Sequence, residues 1–314
     1  MKKITLFITT ILFMFTLTSC SAYEIEYTDN EPFQIEIKGE TLKILQITDL
    51  HLAFGFDQRD RKTFQLIEAL AKNDDYDLIV ITGDLTMSPQ APRLFTKLLN
   101  FMETLEIPWT FVFGNHETDF HDYKVFLKRI PDTKYLYFKV GPQIEDGGYG
   151  NFKIEFTKNQ QPFYHAYFLD SKAEVKDFTE EEGQYGYLSS GQVDWYKDLV
   201  QNDTVDSLVF MHIPLRQYMN PVTYFGTFRE KKVYAQGKDT GFFDAMVFHQ
   251  RSKAIFVGHD HLNDFYLYLE DIMLAYGRAT GYNGYGDLEK GGRHIEINLD
   301  LELITYIIEG SDVL

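Results

Sequence analysis

The sequence predicts an α/β protein organised around parallel strands. Three observations carry that expectation. Five short apolar runs each stop at a cluster of polar residues. Amphipathic helical patterns separate the first three runs, and strand, helix, strand implies parallel pairing through right-handed crossovers. The runs are apolar at nearly every position, as strands covered on both faces are.

In chain order, Phe33 to Ile37 alternates apolar and polar residues and reads as a first edge strand. Leu42 to Thr48 is the first full run, followed at once by Asp49-Leu50-His51. Leu78 to Thr82 leads into Gly83-Asp84, and Trp109 to Phe113 into Gly114-Asn115-His116-Glu117. Ser207 to Met211 precedes His212, and Ala254 to Val257 precedes Gly258-His259-Asp260-His261. Between the first three runs, Phe64, Ile67, Leu70 and Ala71 fall on one helical face, as do Phe95, Leu98, Leu99 and Met102 after Pro92. Ser189 with Gln192 three residues later is a capping-box pattern ahead of Trp195, Tyr196 and Leu199. Phe152 to Phe156 and Phe163 to Leu169 have hairpin spacing. Phe265 to Tyr276, His294 to Leu299 and Leu303 to Ile308 read as closing strands. In a parallel sheet the carboxyl ends of the strands share one rim, and ligands bind there. Polar groups placed just after five strands are therefore expected to converge.

Composition narrows the function. The chain has 314 residues and a formal charge of -17, which disfavours phosphate backbones, so stable nucleic-acid binding is not expected. A single cysteine excludes an internal disulfide and a cysteine-based zinc site. That cysteine, Cys20, follows Met1-Lys2-Lys3, an apolar run from Ile4 to Leu17, and Thr18-Ser19. The segment resembles a bacterial lipoprotein signal, which implies cleavage before Cys20, lipidation of its thiol and an extracytoplasmic, membrane-anchored location. The expected division is a signal peptide over 1–19, a polar tether with the edge strand over 20–40, and a catalytic domain over 41–314.

The rim would collect Asp49, His51, Asp84, Asn115, His212, His259 and His261, with His116 beside them. Carboxylate oxygen mixed with imidazole nitrogen, without thiolate, suits Mn, Fe or Zn. Calcium would favour oxygen alone. The donors outnumber the needs of one four-coordinate ion. Two divalent ions sharing a carboxylate, about 3.5–4 Å apart, are the economical arrangement and the one that clamps a phosphoryl group. A glycosidase using paired carboxylates would have no need of the histidines. His121, His165, His249 and His294 belong to no such block and read as surface or structural residues.

The blocks Asp49-Leu50-His51, Gly83-Asp84, Gly114-Asn115-His116-Glu117, His212 and Gly258-His259-Asp260-His261, in this order, resemble the calcineurin-like metallophosphoesterase superfamily. The following Asn263-Asp264 and the loop Gly281-Tyr282-Asn283-Gly284-Tyr285-Gly286 are similar to the branch near purple acid phosphatases. The resemblance implies a four-layer α/β/β/α sandwich of mixed sheets with the metal site at strand carboxyl ends. It implies that Asp49, His51 and His261 hold one ion, that Asn115, His212 and His259 hold the other, and that Asp84 bridges them together with a hydroxide nucleophile. His116 would bind the phosphoryl oxygens or protonate the leaving group, and Glu117 and Asp260 would orient imidazoles. Met87 stands where purple acid phosphatases carry a colour-giving tyrosinate, so His51 fills that place and no ferric-tyrosinate centre is implied. The implied activity is hydrolysis of a phosphorylated small molecule. A non-catalytic surface module that keeps its metals for stability is the alternative, and such a module would not need His116. Tyr218, Tyr224, Tyr282 and Tyr285 are candidates for stacking on a substrate, and Arg216 is a candidate phosphate contact.

Overall fold

The computed structural model describes residues 24–314. Cys20 and the leader lie outside them. The chain runs β1 (Phe33–Glu36), β2 (Leu42–Ile47), α1 (Gln58–Ala71), β3 (Leu78–Thr82), α2 (Ala91–Glu103), β4 (Trp109–Val112) and α3 (Tyr123–Leu127). It continues with the hairpin β5 (Phe152–Lys158) and β6 (Gln161–Phe168), then α4 (Ser190–Val200), β7 (Ser207–Phe210), α5 (Phe242–His249) and β8 (Ser252–Val257). Two further hairpins, β9 (Tyr266–Leu269) with β10 (Ile272–Tyr276) and β11 (Gly291–Ile297) with β12 (Leu303–Glu309), precede a last turn of helix, α6 (Gly310–Val313).

The strands form two sheets. Seven are ordered β1-β5-β6-β7-β8-β10-β9 and five are ordered β12-β11-β2-β3-β4. Both sheets are mixed. β2, β3 and β4 pair in parallel, as do β6, β7, β8 and β10, while the hairpins pair antiparallel. The first strand is an edge strand, paired in parallel with β5.

Side-chain alternation explains the continuous apolar runs. Leu78 and Val80 of β3 point into the layer between the sheets, against Phe210, Phe256 and Ala275 among others. Ile79 and Ile81 point the other way, into a layer with Leu66, Ile67 and Leu70 of α1 and Leu94, Leu98 and Leu99 of α2. In the second sheet, Leu208 and Phe210 face the inter-sheet core, whereas Val209 and Met211 face Trp195 and Tyr196 of α4 and Phe243 and Met246 of α5. Every position of β3 and β7 is therefore buried, and each large side chain contributes about 1.5–3 kcal/mol. The Ser189–Gln192 capping box is present at the start of α4.

The two mixed sheets match the expected sandwich, and the five runs divide between them. Three belong to the smaller sheet and two to the larger, and the rim is the shared end of two sheets packed face to face. Polar bonds join the sheets at that end. Gln46 Nε2 donates to the Val257 carbonyl at 3.0 Å, and the amide N–H of His259 lies 3.1 Å from Asp49 Oδ1. Part of the segment read as a tether packs on the fold, since Trp195 Nε1 donates to Asn30 Oδ1 and Lys139 pairs with Asp29. Among the described residues, no helix is long and apolar enough to cross a membrane.

Candidate metal centre

The polar residues that follow β2, β3, β4, β7 and β8 meet at the common end of the sandwich. The chain turns sharply there to aim them inward. Asp49, His51, Asp84 and His259 all have positive φ, at 54°, 44°, 52° and 81°. For non-glycine residues such backbone costs about 1–3 kcal/mol each, and it persists where surrounding contacts over-determine it. Two glycines are required by close approach. A Cβ at Gly83, itself at φ 88°, would overlap the His212 ring, and one at Gly114 would overlap the Asp84 carboxylate.

Two donor groups result, each with its atoms within 4.8 Å of one another: Asp49, His51, Asp84 and His261, and Asp84, His212 and His259. Asp84 belongs to both. Its Oδ2 lies 3.4 Å from His51 Nε2 and 3.3 Å from His212 Nε2. Asp49 Oδ1 lies 3.5 Å from His261 Nε2, and the His51 and His261 Nε2 atoms face each other at 2.9 Å. Asn115 turns its Oδ1 to within 3.0 Å of His212 Nε2, beside the second group. All seven of these side chains are buried.

The buried carboxylates and imidazoles set one another's charge at this point. Burial opposes the charged form of Asp49, yet His261 and His212 outweigh it and hold the carboxyl at about 2. Burial likewise opposes the Asp84 carboxylate, and His212 with His51 outweighs it and holds the group well below the ordinary range. Burial pushes His212 down, but the Asp84 charge raises it to about 10, whereas His51 and His259 are depressed by burial to about 3. His259 Nε2 is buried with no hydrogen-bond partner among the described residues. Carboxylate oxygens and imidazole nitrogens converging on shared points, without sulfur, fit borderline divalent ions, and the shared Asp84 fits a pair of them.

His116 lies at the edge of this cluster and remains part-exposed, its ring centroid 5.2 Å from that of His51. Its amide N–H donates to Asp84 Oδ1 at 3.0 Å, and its Nδ1 lies 2.7 Å from Asp119 Oδ2. Burial lowers the His116 pKa, and the charges of Asp84 and Asp119 more than offset it, so the ring sits above its ordinary value. Asp119 is a partner of the His116 ring that the sequence motifs do not mark. Its one signal is a position three residues after His116, which the 3-10 turn His116–Thr118 converts into proximity.

Glu117 and Asp260 do not orient imidazoles. Glu117 accepts the amide N–H groups of Gly114 and Thr86, bracing two strand ends, and burial raises it to about 7. Asp260 accepts the Tyr276 hydroxyl at 2.7 Å and the amide of Tyr234. Backbone carbonyls take the orienting role instead. Thr82 O lies 2.7 Å from His212 Nδ1, and Tyr285 O lies 3.3 Å from His261 Nδ1.

The cluster opens into a cleft of about 620 Å³ bounded by Met87, His116, Glu174, Tyr185, Glu230, Tyr234, Asn283 and Tyr285, among others. Of the aromatic candidates only Tyr285 is there, stacked on His261 at 4.2 Å. Tyr218 is a core residue donating to the Ile255 carbonyl, Tyr224 packs on Phe265, and Tyr282 faces a separate hollow beside α1. Arg216 donates to the Glu181 and Gly237 carbonyls and pins a loop. Tyr185, Tyr234, Glu174 and Glu230 come from loops with no local sequence signal. Of the histidines outside the blocks, His165 lies between Glu155 and Asp203, and His294 stacks on Tyr306.

Comparison with known proteins agrees with this geometry. The family model described as calcineurin-like phosphoesterase matches residues 42–263. The chain is 26% identical over 310 residues to an Arabidopsis thaliana protein named "Probable inactive purple acid phosphatase 14", covering 84% of this chain and 76% of that one. It is also 26% identical over 301 residues to Phosphatase DCR2 of Saccharomyces cerevisiae, covering 82% and 52% respectively. A dimetal phosphatase from Danio rerio shares the fold with a TM-score of 0.59 at 12% identity, covering 85% of this chain and 98% of that one. A purple acid phosphatase from yellow lupin seeds does so at 0.54 and 13% identity, covering 87% and 52%. On the match to more than half of its length, together with the donor blocks at its strand ends, the chain belongs to the calcineurin-like phosphoesterase family.

Proposed function

We propose that this protein hydrolyses phosphate esters with two divalent ions, drawn from Mn, Fe and Zn, at the end of the sandwich. One observation carries the reading: Asp84 is common to two donor groups and also holds the backbone of His116. In this reading Asp49, His51 and His261 hold one ion, Asn115, His212 and His259 hold the other, and Asp84 serves both. Bound there, such ions supply a water whose pKa falls from 15.7 towards about 7, and positive charge for the phosphoryl oxygens. The chain's own residues do the rest. The carbonyls of Thr82 and Tyr285 fix the ring orientation of His212 and His261. Asp119 holds His116 through Nδ1, which leaves Nε2 to donate to a phosphoryl oxygen or to the departing alcohol.

The test is turnover of chromogenic phosphate mono- and diesters by the full-length chain with Mn. Activity abolished by a chelator and restored by Mn is expected. Metal retained without turnover on any ester would make the protein a non-catalytic metal-containing module, a state in keeping with the word "inactive" in the plant relative's name.

We further propose that Cys20 is lipidated and holds the enzyme on the outer side of a membrane, which the order of basic start, apolar run, small residues and sole cysteine supports. Mass spectrometry of the mature N-terminus reads this directly. A lipid-modified Cys20 is expected, and an intact Met1 or cleavage elsewhere would remove the anchor.

A further inference from the structure

We infer that the alcohol half of the ester is cationic, so that the substrate class is phosphate esters of amino alcohols bearing an ammonium group. This rests on the phosphoesterase reading and concerns the part of the cleft beyond the donor imidazoles. There the walls are aromatic and acidic. Tyr185 stands edge-on to His259 with centroids 4.4 Å apart. Tyr285 lies flat on His261 and donates its hydroxyl to Glu230 Oε1 at 2.6 Å. An isolated backbone bridge between Glu174 and Tyr185 brings a second carboxylate to the same wall.

Among the described residues, no lysine or arginine lines this cleft. The neighbouring Arg229 is turned to Asp287 at 2.8 Å. Lys232 belongs to the adjoining hollow, where it covers the Tyr234 ring at 5.3 Å, whereas Tyr285, with one face on His261, remains exposed and Tyr185 is half-buried.

Aromatic faces beside carboxylates without counter-ions are the chemistry that recognises ammonium groups. A neutral alcohol could donate a hydroxyl to Glu174 or Glu230, but only a cation is drawn by both the carboxylates and the aromatic faces. An alcohol bearing a carboxylate or a second phosphate would meet like charge and be disfavoured.

The experiment compares two esters of the same shape, phosphocholine and 3,3-dimethylbutyl phosphate, which differ in the charge of the trimethyl group. Calorimetric Kd values are measured on the full-length chain loaded with Mn, with p-nitrophenyl phosphate turnover as the control for the chemistry. Phosphocholine is expected to bind at least tenfold tighter, equivalent to about 1.4 kcal/mol. Replacing both acids, Glu174→Gln with Glu230→Gln, is expected to cut that preference to threefold or less. Equal binding of the two esters, or a preference unchanged in the double variant, overturns the inference. Turnover of p-nitrophenyl phosphate with no binding of phosphocholine overturns it while the phosphoesterase reading stands. Failure to bind or turn over any ester removes both.

Discussion

His212 Nδ1 lies 2.7 Å from the carbonyl oxygen of Thr82. His212 follows β7 of the larger sheet and Thr82 ends β3 of the smaller one, so this contact ties the two sheets at the point where the donors meet. With Nδ1 donating to that carbonyl, Nε2 is the nitrogen that faces Asp84 and Asn115. The site is therefore a property of the sandwich and of neither sheet alone.

Asp84→Asn is expected to cut metal affinity by at least tenfold, because one change weakens both donor groups. Metal content after dialysis, read by plasma mass spectrometry, checks this. In the unaltered protein, Mn at 100 times its Kd is expected to add about 2.7 kcal/mol of stability, reversed by a chelator. That increment is expected to shrink or vanish in Asp84→Asn, and an undiminished increment would exclude Asp84 as the shared ligand.

His116→Ala is expected to keep its metal and lose turnover by about 10²-fold or more, the contribution of a positioned acid. Asp119→Ala removes only the group that holds the ring, so a smaller loss, about tenfold, is expected. Measuring kcat and metal content on the same samples separates the two effects. Full turnover in His116→Ala would take the residue out of the chemistry.

Asp60 is buried at the start of α1. Its carboxylate accepts the amide N–H groups of Ala53, Phe54 and Gly55 and the side-chain amide of Asn283 at 2.6 Å. It thus joins the loop after His51 to the loop whose Gly284 packs on the His51 and His261 rings. Asp60→Ala is expected to cost about 1–3 kcal/mol, since it leaves one buried and three part-buried donors without their acceptor. Hydrogen exchange at the amides of residues 53–55 is expected to accelerate with it, and unchanged protection there would refute the anchoring role.

Asp203 gives a pH prediction remote from the donors. It accepts the Tyr167 hydroxyl at 2.5 Å and Lys153 Nζ at 3.0 Å, with His165 Nδ1 3.0 Å away. Burial raises its pKa, and these partners outweigh burial and lower it. A carboxyl depressed in the folded state stabilises the protein above its unfolded value, about 3.9, and that stability is lost as pH falls through the folded value. Asp203→Asn is expected to lower the thermal midpoint at pH 7 and to flatten the fall in stability below about pH 4. Parallel acid limbs in the two proteins would show that Asp203 contributes nothing there.

The donor blocks are legible in the amino-acid sequence because two local rules coincide in them. A strand buried on both faces must be apolar throughout, as Leu78 to Ile81 is, so the first polar residues after it mark its end. Glycine precedes Asp84, Asn115 and His259 in the sequence, and Gly83 and Gly114 leave room for the His212 ring and the Asp84 carboxylate. The assignment of runs to sheets is not legible there. Strands of the two sheets carry the same burial pattern, and pairing partners are chosen by long-range packing. Asp60, Asp119, Glu174 and Tyr185 escape sequence reasoning for a related cause, because each sits in a loop or a helix start whose own residues do not reveal what the chain brings against it.

By itself, then, the sequence determined which side chains carry nitrogen and oxygen donors and that they stand at strand ends, since both follow from residue type and local periodicity. The tertiary structure alone decided that one oxygen of Asp84 faces His51 and His212 together, and that aromatic and acidic loops wall the cleft outside them. Those relationships join residues far apart in the chain, and they exist only once two sheets have buried a common face.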